Sequence, residues 1–173
     1  MITIRKTRYD EAEKLRTLRL DSLLNTPDAF ASSFEEEVGW TAEVYEQRQK
    51  SSPDNFIIGA FDDDKLIGMA GFAHERFRKN KHVGILWGMY VQPEYRKQNI
   101  GSRLVEKLVE NARTFPHIEQ INLGVVSTLI PAITLYEKMG FTLFGTEKNA
   151  MKDNDKYFHV LHYTLFLSSK LIN

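Results

Sequence analysis

The segment from His82 to Ser127 constrains the fold more than any other part of the chain. It opens with an apolar run, "HVGILWGMYV", that reads as a strand over His82–Val91. Pro93 then stops strand pairing, because proline has no backbone donor for a ladder. Ile100, Leu104, Val105, Leu108, Val109 and Ala112 follow at helical spacing, predicting an amphipathic helix over Asn99–Arg113. Gln120–Ser127, "QINLGVVS", reads as a second strand. Two strands joined through a helix of this length can lie side by side only as a parallel pair, and the crossover is right-handed by strong default.

The rest of the chain surrounds this unit with shorter pieces. Ile2–Lys6 alternates as a strand, and Tyr9–Leu24 reads as a helix with Leu15, Leu18 and Leu23 inward. Pro27 breaks that pattern, and a charged helix is expected over Thr41–Lys50. The stretch "NFIIGAFDDDKLIGMAGFAHE" reads as a hairpin turning at Asp62–Asp64, where aspartate tolerates turn conformations. Pro131–Met139 is expected as a short helix, and Phe141–Glu147 and Lys156–Leu167 as closing strands. The order is β, α, α, β, β, β, α, β, α, β, β. It implies one mixed α/β (α+β) sheet with helices on its faces. At 173 residues, without repeats or a low-complexity linker, residues 1–173 fit a single domain with one core.

Composition narrows the function. Lys+Arg and Asp+Glu both count 23, so a nucleic-acid binder working by bulk phosphate neutralisation is disfavoured. The absence of cysteine excludes disulfides, thiolate metal sites and a cysteine nucleophile, and no metal is expected. No apolar run approaches the roughly 20 residues of a membrane span, and the N-terminus lacks a signal peptide's apolar core, so a soluble, cytoplasmic protein is expected. No Gly-x-x-x-x-Gly-Lys-Ser/Thr occurs, which removes the P-loop nucleotide enzymes.

The junction between the first strand and the long helix is the candidate site. Arg96, Lys97, Gln98 and Asn99 occupy the loop and the helix's N-terminal edge. The first N–H groups of a helix have no internal partners, and that end is partly positive. A small residue at Gly101 lets an anion approach the backbone, so these features make an anion site of the kind that holds phosphate.

"VQPEYRKQNIG" resembles the acyl-CoA-binding signature of the GNAT superfamily of N-acetyltransferases, a Gln/Arg-x-x-Gly-x-Gly/Ala loop preceded by Val-x-Pro. Arg96 takes the Gln/Arg position and Gly101 the last one, while Asn99 replaces the first glycine. If the loop needs positive φ there, asparagine is the least costly ordinary substitute. Downstream, Ala132, Leu135, Tyr136, Gly140 and Phe141 resemble the family's Ala-x-x-Leu-Tyr-x-x-x-Gly-Phe motif. The resemblance covers nearly the whole chain. It implies a mainly antiparallel sheet of about seven strands, flanked by about four helices, in which the parallel pair splays apart.

The implied activity is direct transfer of an acetyl group from acetyl-CoA to a primary amine of a small molecule or peptide. The resemblance further implies that Met89, Tyr90 and Val91 pair with the pantetheine arm through their backbones, and that Arg96, Lys97, Gln98, Asn99, Ile100, Gly101 and Ser102 hold the pyrophosphate. It makes Tyr136 the general acid for the departing thiolate. From periodicity alone, Tyr136 is a core residue. The usual strand carboxylate is missing, with Trp87 and Gly88 in its neighbourhood, and Leu129 stands where many members have asparagine. His74, Glu75, His82, His159 and Glu35–Glu37 are candidate bases, and an amine arriving neutral needs none. Phe30, Glu35, Trp87 and His159 are the candidate acceptor residues. No nucleic acid or membrane partner is implied, and a homodimer is left open. The rival reading is an acyl-CoA-binding sensor or binding module of the same fold without catalysis.

Overall fold

The computed structural model of the chain describes residues 1–74 and 77–167. Seven strands form one sheet: β1 (Ile2–Lys6), β2 (Phe56–Asp62), β3 (Lys65–His74), β4 (Val83–Val91), β5 (Gln120–Val126), β6 (Thr142–Asp153) and β7 (Lys156–Phe166). Their spatial order is β1-β2-β3-β4-β5-β7-β6. The ladders are antiparallel except between β4 and β5, which run parallel as the helical crossover demands. The helices are α1 (Ala12–Asn25), α2 (Phe34–Glu37), α3 (Ala42–Lys50), α4 (Ile100–Ala112) and α5 (Ile130–Lys138).

The crossover helix α4 lies where its apolar stripe predicts. Leu104, Val105, Leu108 and Ala112 are fully buried, packed with Ile58, Ile67, Leu86, Ile121, Leu123 and Tyr163 in the larger core cluster. At about 1.5–3 kcal/mol for each large apolar side chain removed from water, this stripe fixes α4 against its sheet face. The opposite face carries α1, whose Leu15 and Leu18 pack with Ile57, Phe61, Leu66, Met69 and Tyr90.

Two elements differ from the sequence reading. The short α2 falls within the stretch read as aperiodic after Pro27. Ser33 caps it, accepting from the Glu36 amide while the Glu36 carboxylate accepts from the Ser33 amide at 2.7 Å. Four residues are too few to hold a helix alone. A buried ion pair supplies the rest: Glu37 accepts from Arg19 at 2.8 and 3.1 Å, from Ser32 at 2.5 Å and from Tyr45 at 3.1 Å. Burial would raise the Glu37 carboxyl, but these donors, Arg19 foremost, hold it below its usual range.

The second difference is β6, which runs to Asp153 rather than Glu147. It is an edge strand with most side chains in solvent, so its polar second half has no alternation to reveal it. Its register slips between Glu147 and Met151, where Asn149 takes φ +55°.

Candidate active site

The site begins with a failure of pairing. Strands β4 and β5 are bonded at three positions only, Val83 with Gln120, Gly84 with Ile121 and Ile85 with Asn122. Beyond Ile85 the two strands separate, although β4 stays paired to β3 as far as Val91 and β5 to β7 as far as Val126. The edge of β4 from Leu86 to Val91 thus faces a gap, and backbone N–H and C=O groups along such an edge demand partners. A bulge opens it further. Tyr90 pairs with Met69 and Trp87 with Gly71, so three steps along β4 match two along β3. The extra residue falls at Gly88, which adopts φ +63°, and a Cβ built there would meet no atom within 4 Å.

Past the open edge, the chain turns through Pro93–Tyr95 into the loop before α4. Lys97 and Asn99 both take left-handed conformations, φ +62° and +63°. The left-handed position where the family signature has glycine is held by the residue type whose short amide tolerates it. Asn99 is the N-cap of α4, and the first intrahelical bond runs from the Arg103 amide to the Asn99 carbonyl. The N–H groups of Ile100, Gly101 and Ser102 therefore lie in the helix turn that has no internal acceptors. Arg96, Lys97, Gln98 and Asn99 are all exposed at this end, and no acidic residue stands in the first turn. A positive helix terminus flanked by two cations fits a pyrophosphate.

Two side chains in this loop serve the fold as well. Arg96 donates to the Val91 carbonyl at 2.9 Å, which occupies one of the β4 acceptors expected for the pantetheine arm. Gly101 has a packing reason beyond anion approach: an added Cβ would lie 3.2 Å from Leu135 Cδ2 and 3.3 Å from Met89 Cε. Its missing side chain lets α5 seat against the first turn of α4. Only the backbone of Tyr90 can face the gap, since its ring is buried on the α1 face and its hydroxyl donates to Asp21 at 2.8 Å.

The residue after Leu135 is Tyr136, buried to 5% exposure, with its ring edge-on to Phe141 at 5.8 Å. Burial pushes its hydroxyl well above the ordinary tyrosine range, so it stays protonated at neutral pH. No hydrogen bond engages that hydroxyl among the described residues. Leu129, at the N-cap of α5, contributes no side-chain cap and instead packs on the core cluster.

The acceptor candidates separate. Phe30 and Trp87 pack on the same α1-side cluster but line different hollows. Phe30 and Glu35 share a cleft of about 530 Å³ with Asp28, Glu36, Met151, Asp153 and Phe158. Trp87 lines a pocket of about 270 Å³ with Arg48, Gln49, Asn55 and Phe56. His159 lies in neither; it is exposed, and its Nδ1 accepts from the Asn149 amide at 2.9 Å. Among the candidate bases, His74 sits at the end of β3 remote from the loop, Glu37 is consumed by Arg19, and Glu75 lies outside the described residues. The β6–β7 side of the cleft escaped the sequence reading, because Met151, Asp153 and Phe158 meet Phe30 across more than 100 residues of chain. Lys156 closes that contact, bonding Asp28 at 2.6 Å.

Comparison with known proteins agrees with this geometry. Residues 20–141 match the model of the acetyltransferase (GNAT) family. The L-amino acid N-acetyltransferase AaaT of Escherichia coli K12 is 24% identical over 114 residues, covering 66% of this chain and 70% of that protein. An acetyltransferase of the GNAT family from Streptococcus pneumoniae superposes with a TM-score of 0.87 at 22% identity, covering 96% of this chain and all of that one. The Salmonella typhimurium protein yncA, solved with its cofactor acetyl-CoA, gives a TM-score of 0.81 at 18% identity, over 97% and 95% of the two chains. With a family match spanning residues 20–141, most of its length, this chain belongs to the GNAT family of acetyltransferases.

Proposed function

We propose that the protein transfers the acetyl group of acetyl-CoA directly to a primary amine on a small molecule or peptide, with residues 1–173 acting as one catalytic domain. The observation that carries this reading is the unpaired edge of β4 with its bulge at Gly88, leading into the left-handed loop and free helix terminus at Asn99. A ligand strand fits that gap, and an anion fits its end. Backbone groups at Met89 and Tyr90 pair with the pantetheine arm, and an N–H of the bulge polarises the acyl oxygen. Amides of Ile100, Gly101 and Ser102, with Arg96 and Lys97, hold the pyrophosphate, and the Gln98 side chain braces the loop by donating to the Glu94 carbonyl.

The thioester supplies an activated acyl carbon when bound. Attack by the amine nitrogen forms the C–N bond as the C–S bond breaks. Tyr136 gives its proton to the leaving sulfur and regains one from solvent, while the bound ammonium loses one proton to solvent before attack and a second after it, so no dedicated base is required. The cleft beneath α2 suits a cationic amine with an apolar body, because Phe30 and Phe158 wall it and Glu35 and Asp153 face it.

Thiol release from acetyl-CoA against a panel of amino acids, polyamines, aminoglycosides and peptide N-termini tests the reading. Tyr136→Phe should lower kcat by about 10²-fold or more while the affinity for acetyl-CoA is unchanged. Acetyl-CoA binding without turnover on any amine would favour the acyl-CoA sensor, the reading to which the missing strand carboxylate on β4 points.

A further inference from the structure

We propose that Asp54, His74 and His117 form a binding site for a divalent transition-metal ion of the zinc type, at the end of the sheet opposite the acyl-donor loop. The three residues are distant in sequence and come from three separate connections: the turn between α3 and β2, the end of β3, and the loop between α4 and β5. Folding brings their ligand atoms within 4.8 Å of one another. Nε2 of His117 lies 3.2 Å from Oδ2 of Asp54, and Nε2 of His74 lies 3.7 Å from the same oxygen.

The shortest of those separations is the one a tetrahedral ion needs, and the others are longer. Donors at about 2.0–2.1 Å from a tetrahedral zinc ion stand about 3.3 Å apart. Two edges of the tetrahedron are therefore close to formed, and the third closes with a small movement of two rings. Two imidazoles and a carboxylate suit zinc, cobalt or nickel rather than calcium or magnesium, which take mostly oxygen. The absence of cysteine excludes thiolate sites alone and leaves this donor set intact.

Other groups lie close to the donors. Ser52 Oγ sits 3.0 Å from His74 Nε2, so an ion taking that nitrogen displaces this hydrogen bond or recruits the hydroxyl as a further ligand, and the two imidazoles meet edge to face at 5.7 Å. Phe115 flanks His117 with ring centroids 6.2 Å apart. The side chains are 22% exposed for Asp54, 16% for His74 and 35% for His117, so an ion can enter while the site stays partly desolvated. Water or Ser52 completes the coordination.

Position gives the site its consequence. His74 pairs with Gly84 at the start of β4, and the Glu119 amide beside β5 donates to the His82 carbonyl. An ion here ties the end of β3 to the loops that enter β2 and β5, beside the closed end of the β4–β5 pair. It takes no part in the chemistry at Tyr136.

The test uses the full chain, stripped of metal with chelator, and Zn²⁺ alone as probe. Calorimetric titration should show one Zn²⁺ bound per chain, and a saturating excess should raise Tm by about 5 °C. Co²⁺ should give the visible absorption of a four-coordinate ion. Asp54→Asn and His117→Gln should each abolish all three signals, with a metal-free Tm close to that of the parent, while His162→Ala should retain them. His117 is the most open of the three, so its variant gives a folded readout even if Asp54→Asn is unstable. No saturable binding to the parent, or binding that survives His117→Gln, overturns the proposal and leaves Asp54 as a polar neighbour of the two histidines.

Discussion

Asn99 shows how a single backbone conformation carries a site. At φ +63° it caps the start of α4, whose first amides have no acceptors within the helix. Glycine meets that conformation without strain, and β-branched residues meet it at a cost of about 1–2 kcal/mol. Asn99→Gly should keep acetyl-CoA affinity and Tm near the parent values. Asn99→Val should lower Tm by about 3–6 °C and weaken acetyl-CoA binding, read by thermal shift with and without the ligand. An unchanged Tm in Asn99→Val would mean that the loop does not need the left-handed region. The motif letter that departs from the family pattern was legible in sequence because its conformational preference is local. The packing of Gly101 against Leu135 and Met89 was not, because it depends on where α5 lands.

Among the elements, α2 is the one most dependent on its neighbours. Its acidic run, Glu35–Glu37, looks in sequence like a uniform charged patch, yet the three carboxylates do different work. Glu35 lines the cleft, Glu36 closes the capping box, and Glu37 is buried at 1% exposure under Arg19, Ser32 and Tyr45. Only the fold assigns these roles, since one turn of helix points three successive side chains in three directions. Arg19→Ala leaves the Glu37 carboxylate buried without its cation and should cost about 3–5 kcal/mol in urea unfolding. Arg19→Met combined with Glu37→Gln should cost much less than the sum of the single changes. Strict additivity would show that the pair is not coupled. The same helix roofs the cleft proposed for the acceptor, so on that reading the single variants should also raise KM for the amine more than for acetyl-CoA.

For the whole molecule, acid stability follows from buried carboxylates. Glu11 accepts from the two terminal nitrogens of the Arg5 guanidinium at 2.9 and 2.7 Å and from the Arg8 amide at 2.8 Å, which lowers its carboxyl to about 2. A group depressed in the folded state stabilises above its unfolded pKa, and that contribution disappears as pH falls from about 4.5 toward about 2. Linkage sets an upper bound of about 3 kcal/mol, reduced because Arg5 and Arg8 are partly in solvent. Urea unfolding at pH 3 and pH 7 should therefore show a steeper loss for the parent than for Glu11→Gln; parallel curves would remove Glu11 from the account. The sequence by itself determined most strands and helices, the parallel crossover and the loop that enters α4, because periodicity, proline placement and the left-handed tolerance of asparagine act within a few residues. The divergence of β4 from β5 beyond Ile85, the cleft shared by Phe30, Phe158 and Asp153, and the meeting of Asp54, His74 and His117 were decided by the tertiary structure alone. Each is a relation between segments tens of residues apart, set by how packed layers seat on one another, and no local pattern encodes it.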